Sequence, residues 1–188
     1  MSGKRDSIIA AALKLFCENG FQNTSTANIS KEAGVATGTL FLYFKSKDEL
    51  INALYKEAKT ELAAYFQQDL EAETTIENKL QHFWQKAIDW ALDNPYHFRF
   101  FNMYSNSPFI SNLTKEEAAS TFQFTQDLVE EAIKAGSIEP INCNLFINLF
   151  SGQLNATVGF LTQNLNLENR QEIIDQAFAI FWKGISKG

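Results

Sequence analysis

Between Thr37 and Lys47 the chain carries side chains suited to gripping an anionic polymer rather than to making or breaking covalent bonds. Hydroxyls stand at Thr37, Thr39 and Tyr43, a bare backbone at Gly38, a ring at Phe41 and ammonium groups at Lys45 and Lys47, with Thr26 a little upstream. Hydroxyls, lysines and backbone N–H groups are what phosphates accept from. A threonine also reaches a base edge or packs on a thymine methyl, as an aromatic ring does. Gly38 has no side chain to hold its backbone away from a duplex, and Lys47 is placed as a phosphate clamp. Covalent chemistry has no comparable support. No paired carboxylates or nucleophile–base set stands out, so no enzyme is expected. His82 and His97 read as surface or internally satisfied helix residues. Cys17 and Cys143 lie far apart, outside any CxxC pair or His/Cys cluster, and read as small buried hydrophobes, so neither a metal nor a cofactor is expected.

Those side chains need a rigid mount, and the local pattern supplies one. Apolar spacing of three and four runs through the whole chain, which predicts an all-α fold. A first helix from Lys4 to Asn19 buries Ile8, Ile9, Ala12, Leu13, Leu15 and Phe16, and Gly20 with Phe21 stops it. Thr24 is the expected N-cap of a second helix over Ser25 to Ala33, which Gly34 ends. A third covers Thr37 to Phe44. Ile29, Ala33, Val35, Leu40 and Phe44 are spaced to lock these two short helices at a fixed angle, so that the free face of the later one enters a major groove. Ser46 and Glu49 form a capping box that opens a long fourth helix reaching about Leu70. Further helices are expected at about 75–93, 95–105, 115–135, 142–164 and 168–186, some nine in all, with breaks at Pro95 and Pro140.

The run from Phe21 to Leu50 resembles the DNA-binding region of the TetR family of repressors (TetR/AcrR type). The resemblance is carried by Thr24-Ser25, Ile29, Ala33-Gly34-Val35, Gly38-Thr39-Leu40, Tyr43-Phe44 and Lys47-Asp48-Glu49-Leu50, and by Leu15-Phe16 with Gly20-Phe21 at the end of the first helix. It implies a three-helix DNA-binding domain over residues 1–46 and a helical ligand-binding and dimerisation domain over 47–188. The implied DNA contacts are Thr26, Thr37, Gly38, Thr39, Phe41, Tyr43, Lys45 and Lys47. Four positions depart from the family pattern. Ser30 replaces a small alanine, Ala36 a capping serine, Phe41 a tyrosine hydroxyl, and Ala27 a longer polar residue.

Composition agrees with this division. Apolar residues make up 45% of the chain, enough for a core, and the formal net charge is −6. Residues 1–60 nevertheless hold eight Lys/Arg against six Asp/Glu, a mildly basic head on an acidic body. No apolar run reaches the roughly 18 to 20 residues of a membrane span. The N-terminus lacks a signal-peptide pattern, so a cytoplasmic protein with no membrane partner is expected.

The later two thirds are rich in aromatic residues, which serve as core or as walls of an apolar cavity. By the family resemblance, a small apolar or aromatic effector enters between the middle helices, with Phe101, Tyr104, Phe122, Phe150 and Gln153 as lining candidates. Gly152, Ala156 and Gly159, surrounded by Phe146 and Leu149 and joined by Phe178, Phe181 and Trp182, form either a homodimer interface or intrachain packing. The family pairs these two helices with their mates about a two-fold axis. The function implied is a repressor, released by its small-molecule effector from a palindromic double-stranded operator. The alternative, resting on Ala27, Ala36 and Phe41, is a helical small-molecule-binding or interaction protein with a weakened DNA-binding head.

Overall fold

The computed structural model describes residues 3–69, 72–164 and 167–187. Among them ten helices follow in order: α1 (Lys4–Asn23), α2 (Thr26–Glu32), α3 (Thr37–Tyr43), α4 (Lys47–Gln67), α5 (Ile76–Asp93), α6 (Pro95–Tyr104), α7 (Asn112–Ser120), α8 (Gln123–Lys134), α9 (Cys143–Gln163) and α10 (Arg170–Ile185). The all-α reading holds. One isolated antiparallel bridge joins Ile138 to Ser186. The expected end of the fourth helix, Leu70, lies outside the described residues.

Local chemistry explains most boundaries. Gly20 takes φ +78° inside α1 and turns its last residues off the main axis, where the sequence placed a stop. Asn94 and Pro95 separate α5 from α6, with proline at the first helical position, where its missing N–H costs nothing. The single helix expected over 115–135 is in fact two. Thr121 closes α7 by turning its hydroxyl onto the Ala118 carbonyl (2.7 Å), and Phe122 leaves helical geometry at ψ 15° before α8 starts. Gly136, at φ +72°, ends α8 in a left-handed cap: its N–H donates to the Ile133 carbonyl, and the Ser137 N–H to that of Ala132, both at 3.0 Å.

The chain forms two compact units, and their boundary does not follow residue 46. The first is Met1–Leu62 with Asn94–Thr121, and the second Ala63–Asp93 with Phe122–Gly188. Helices α6 and α7 thus belong with the N-terminal helices, and α4 contributes residues to both units.

The first unit is organised around α1, whose Ile8, Ala12 and Phe16 are fully buried. Phe16 packs on Phe21 and Tyr104, and the Tyr104 hydroxyl donates to the Phe16 carbonyl at 3.0 Å. The second unit is built on Trp84 of α5, 1% exposed, with Phe150, Phe178 and Phe181 packed around its ring. The Trp84 indole N–H donates to the Ile174 carbonyl at 3.2 Å, which satisfies the one polar atom that this ring buries.

Candidate nucleic-acid interface

Two short helices and the turn between them form the site. The cap of α2 is Ser25, whose hydroxyl accepts from the Asn28 N–H (3.1 Å), and not Thr24 as the sequence predicted. Thr24 is 1% exposed, and its hydroxyl lies 2.8 Å from the Gly20 carbonyl and 3.1 Å from that of Leu15. The hydroxyl is drawn inward because Gly20 breaks α1 and leaves carbonyls without helical donors. Ser30, the small-for-small departure, is buried and donates to the Thr26 carbonyl at 2.8 Å, so its added hydroxyl is satisfied within the helix.

Gly34 makes the turn at φ +67°. Its N–H donates to the Lys31 carbonyl (3.2 Å) and the Val35 N–H to that of Ser30 (2.9 Å), the paired bonds of a left-handed helix cap. A residue with a Cβ is strained at that φ, which is why the turn needs glycine. Helix α3 follows at once. Its N-cap, Ala36, offers no side-chain acceptor, the consequence expected of an alanine there. At its far end Ser46 accepts from the Glu49 N–H (3.0 Å). The reciprocal bond of the expected capping box is displaced by one residue, the Glu49 carboxylate accepting from the Lys45 N–H at 2.8 Å.

Leu40 alone of α3 is buried. With about 100° per residue, Gly38 and Leu42 stand roughly opposite it, flanked by Thr39 and Phe41. Exposure follows that geometry: Thr37, Gly38, Phe41, Leu42 and Tyr43 are exposed and Thr39 is half-buried. A Cβ built on Gly38 meets nothing within 4 Å, so nothing inside the chain demands glycine at this position. Thr26 is half-buried on α2, and Lys45 is exposed just beyond α3.

Lys47 differs from the rest of the expected set. Its ammonium donates to the Phe21 carbonyl (2.8 Å) and the Thr24 carbonyl (3.0 Å) and sits 4.3 Å from the centroid of the Phe21 ring. Two of its three N–H donors therefore close the frayed end of α1, leaving one for an outside acceptor. Behind this frame Phe109 stacks on Phe21 at 4.2 Å. The Asn52 amide donates to the Phe109 carbonyl (3.0 Å) and accepts from the Ser111 N–H (2.8 Å), which ties the α6–α7 loop to the start of α4. Arg5 pairs with Glu57 and lies over the Phe44 ring, fixing α1 to α4 and to the residue that follows α3.

The candidate effector residues do not come together in one unit. Phe101 and Tyr104 are buried in the first unit, while Phe122, Phe150 and Gln153 belong to the second. Tyr104 and Gln153 spend their polar groups inside the chain, Gln153 donating to the Ala177 carbonyl at 2.6 Å. In the first unit Lys59 lies 4.3 Å from the Phe101 ring centroid and 5.9 Å from that of Tyr55, and burial lowers its pKa to about 8. Cys17 is buried with its thiol directed at the Tyr96 carbonyl (3.3 Å), and burial pushes its pKa up to about 11, which keeps it protonated and unreactive. Among the described residues no His/Cys/Asp/Glu group is arranged to hold a metal ion.

The candidate interface residues separate by burial. Phe146, Phe178 and Phe181 point into the second unit's own core. Leu149, Gly152 and Ala156 are exposed, with Gly159 and Trp182 intermediate. Ile180, which sequence reasoning passed over, is 69% exposed, and with Leu149, Gly152, Gln153 and Gly184 it lines a shallow groove of about 440 Å³ between α9 and α10. Its signal was its helical spacing: it falls on the face away from Phe178 and Phe181.

The comparisons with known proteins agree with this architecture. Residues 8–54 match the family "Bacterial regulatory proteins, tetR family", and residues 55–187 match "Tetracyclin repressor-like, C-terminal domain". A candidate tetR family transcription regulator from Shewanella sp. PV-4 has the same fold at a TM-score of 0.91 and 30% identity, covering 99% of this chain and all of that one. The fatty acid metabolism regulator protein of Bacillus subtilis is 37% identical over 73 residues, a match that spans 39% of this chain and only 38% of that protein. The transcriptional regulator FadR from Bacillus subtilis, solved in complex with stearoyl-CoA, shares the fold at a TM-score of 0.76 and 21% identity, covering 95% of this chain and 98% of that one.

Proposed function

Because the chain belongs to the tetR family of bacterial regulatory proteins, a family of DNA-binding transcription regulators and not of enzymes, we propose that it is a homodimeric repressor that leaves its operator when an apolar or aromatic effector binds. The observation that carries the DNA-binding part is the face of α3 opposite Leu40. It is open at Gly38 and flanked by Thr39 and Phe41, with Thr37 and Tyr43 exposed at the two ends of the helix, and it is held by the left-handed turn at Gly34. Thr26 and Lys45 contact phosphates beside it, and the remaining donor of Lys47 does the same.

The homodimer reading is supported by the exposed stripe of Leu149, Gly152 and Ala156 on α9, with Ile180 and Gly184 on α10. Small residues there let a second copy's helices approach closely, and a two-fold axis presents two heads to a palindrome. Domain roles follow the family, residues 1–46 reading DNA and 47–188 binding effector and partner. The effector class rests on the aromatic content of the second unit and on a relative that binds stearoyl-CoA. No helix among the described residues is long and apolar enough to cross a membrane, and we place the protein in the cytoplasm, where its DNA is.

The test is selection of duplexes from fragments of the source genome, followed by titration at increasing salt. A repressor enriches a palindromic fragment, and its affinity falls linearly in log–log form with salt as counterions are released. Failure to enrich any fragment overturns the proposal.

A further inference from the structure

We infer that Leu42 is a specificity-determining residue of the head, reading the 5-methyl group of a thymine in each half-site. The inference rests on the DNA-binding reading of α3 and deepens it. Leu42 is 84% exposed, the most exposed of the large apolar side chains among the described residues. It lies two residues beyond Leu40, the buried residue of α3, and so stands on the far side of the helix, about 200° around. One turn earlier on that ridge is Gly38, which has no side chain and nothing within 4 Å of a Cβ position. The ridge therefore comes closest to a partner backbone at Gly38 and projects its one long side chain at Leu42.

The chemistry of the face selects the target. Leu42 neither donates nor accepts a hydrogen bond, and Phe41, 46% exposed beside it, does not either. Against the major-groove edges of base pairs, such a side chain has one apolar feature to meet, the methyl group that thymine alone carries. A phosphate partner is disfavoured because an isobutyl group offers it nothing. A second protein is disfavoured by continuity with Thr37, Thr39 and Lys45, whose polar groups suit a duplex. Nothing in the fold needs the leucine, since its removal exposes no core.

The test uses the full-length protein. Duplexes are first selected from a random-sequence library. In the best binder each thymidine is then replaced singly by 2′-deoxyuridine, which deletes only the methyl group. Affinities are measured for the wild-type protein and for Leu42→Ala. At one thymine in each half-site, deoxyuridine is expected to weaken wild-type binding about fourfold, the value of one buried methyl-sized group, and to leave Leu42→Ala unchanged. If the losses from Leu42→Ala and from deoxyuridine simply multiply at every thymine, the inference is wrong. A uniform loss across all sequences in Leu42→Ala places the side chain on the sugar–phosphate wall and also overturns it. Failure to select any duplex overturns the DNA-binding reading itself, and this inference with it.

Discussion

Helix α3 in the first unit and helices α9 and α10 in the second both hold large apolar side chains out to solvent, yet the two are supported differently. Helix α3 has seven residues and one buried anchor, Leu40. Helix α9 has 21 residues with Phe146, Phe150, Thr157, Val158 and Leu161 buried, and α10 adds Ile174, Phe178, Phe181 and Ile185. The exposed residues of α3 are a compact outcrop mixed with hydroxyls and a bare glycine. Those of α9 and α10 form a long apolar stripe studded with small residues. A short outcrop of mixed chemistry suits a groove in a polar duplex, whereas a long stripe on a deep core suits a copy of itself. An exposed leucine acquires meaning from what surrounds it and from what holds its helix.

The comparison breaks first, and hardest, at its supports. Trp84→Ala empties the centre of the second unit and should destabilise the protein by about 3–5 kcal/mol in urea unfolding. Leu42→Ala should change stability by no more than about 0.5 kcal/mol in the same experiment. A comparable loss for both would mean that α3 is buried against something and is not an outcrop.

The stripe is tested by charge. If the stripe is the proposed two-fold interface, Leu149→Asp combined with Ile180→Asp buries like charges in it and should raise the dimer dissociation constant about tenfold or more, read by sedimentation. Helical content should remain, since both residues are exposed in the protomer. An unchanged dimer would move the interface to another face.

Lys59 sharpens the account of the first unit. Its folded pKa, about 8, is below the ordinary lysine value of 10.5 because burial disfavours the ammonium. The unfolded chain therefore binds more protons between those values, and stability rises as the pH climbs through them. Below pH 8 the full cost of the buried charge is present. Lys59→Met should stabilise the protein at pH 7 by about 1–2 kcal/mol, the shift being discounted because the side chain keeps some contact with solvent. That advantage should shrink as the pH rises from 8 towards 10.5. An advantage independent of pH would show that Lys59 is better solvated than its place between Tyr55 and Phe101 implies.

The frame of the head was legible because it depends on local chemistry. Gly34 must turn at positive φ, Leu40 must be buried, and Ile29 lies four residues from Ala33 on one face; spacing alone reveals all of this. What was not legible depended on distant groups. Spacing shows Lys47 as a phosphate contact but not that the fold also brings carbonyls 23 and 26 residues away within reach of its ammonium, which leaves one donor for a phosphate. Thr24 looks like a cap until the kink at Gly20 offers its hydroxyl a buried acceptor. Helix periodicity named Phe146, Phe178 and Phe181 as interface candidates, but it does not distinguish a core shared with a second copy from one shared with the next helix. The candidate effector residues were least legible, because aromatic walls and aromatic cores have the same composition.

The most direct test of the central claim, that the outer face of α3 meets DNA, is Gly38→Ala measured for stability and for duplex affinity together. Gly38 lies in a helix with open space beyond it, so alanine should raise stability by up to about 1 kcal/mol. The added methyl group should at the same time hold the helix away from the duplex and lower affinity by about tenfold. A more stable protein that binds DNA less tightly is the predicted result, and a more stable protein that binds as well as before would contradict the account.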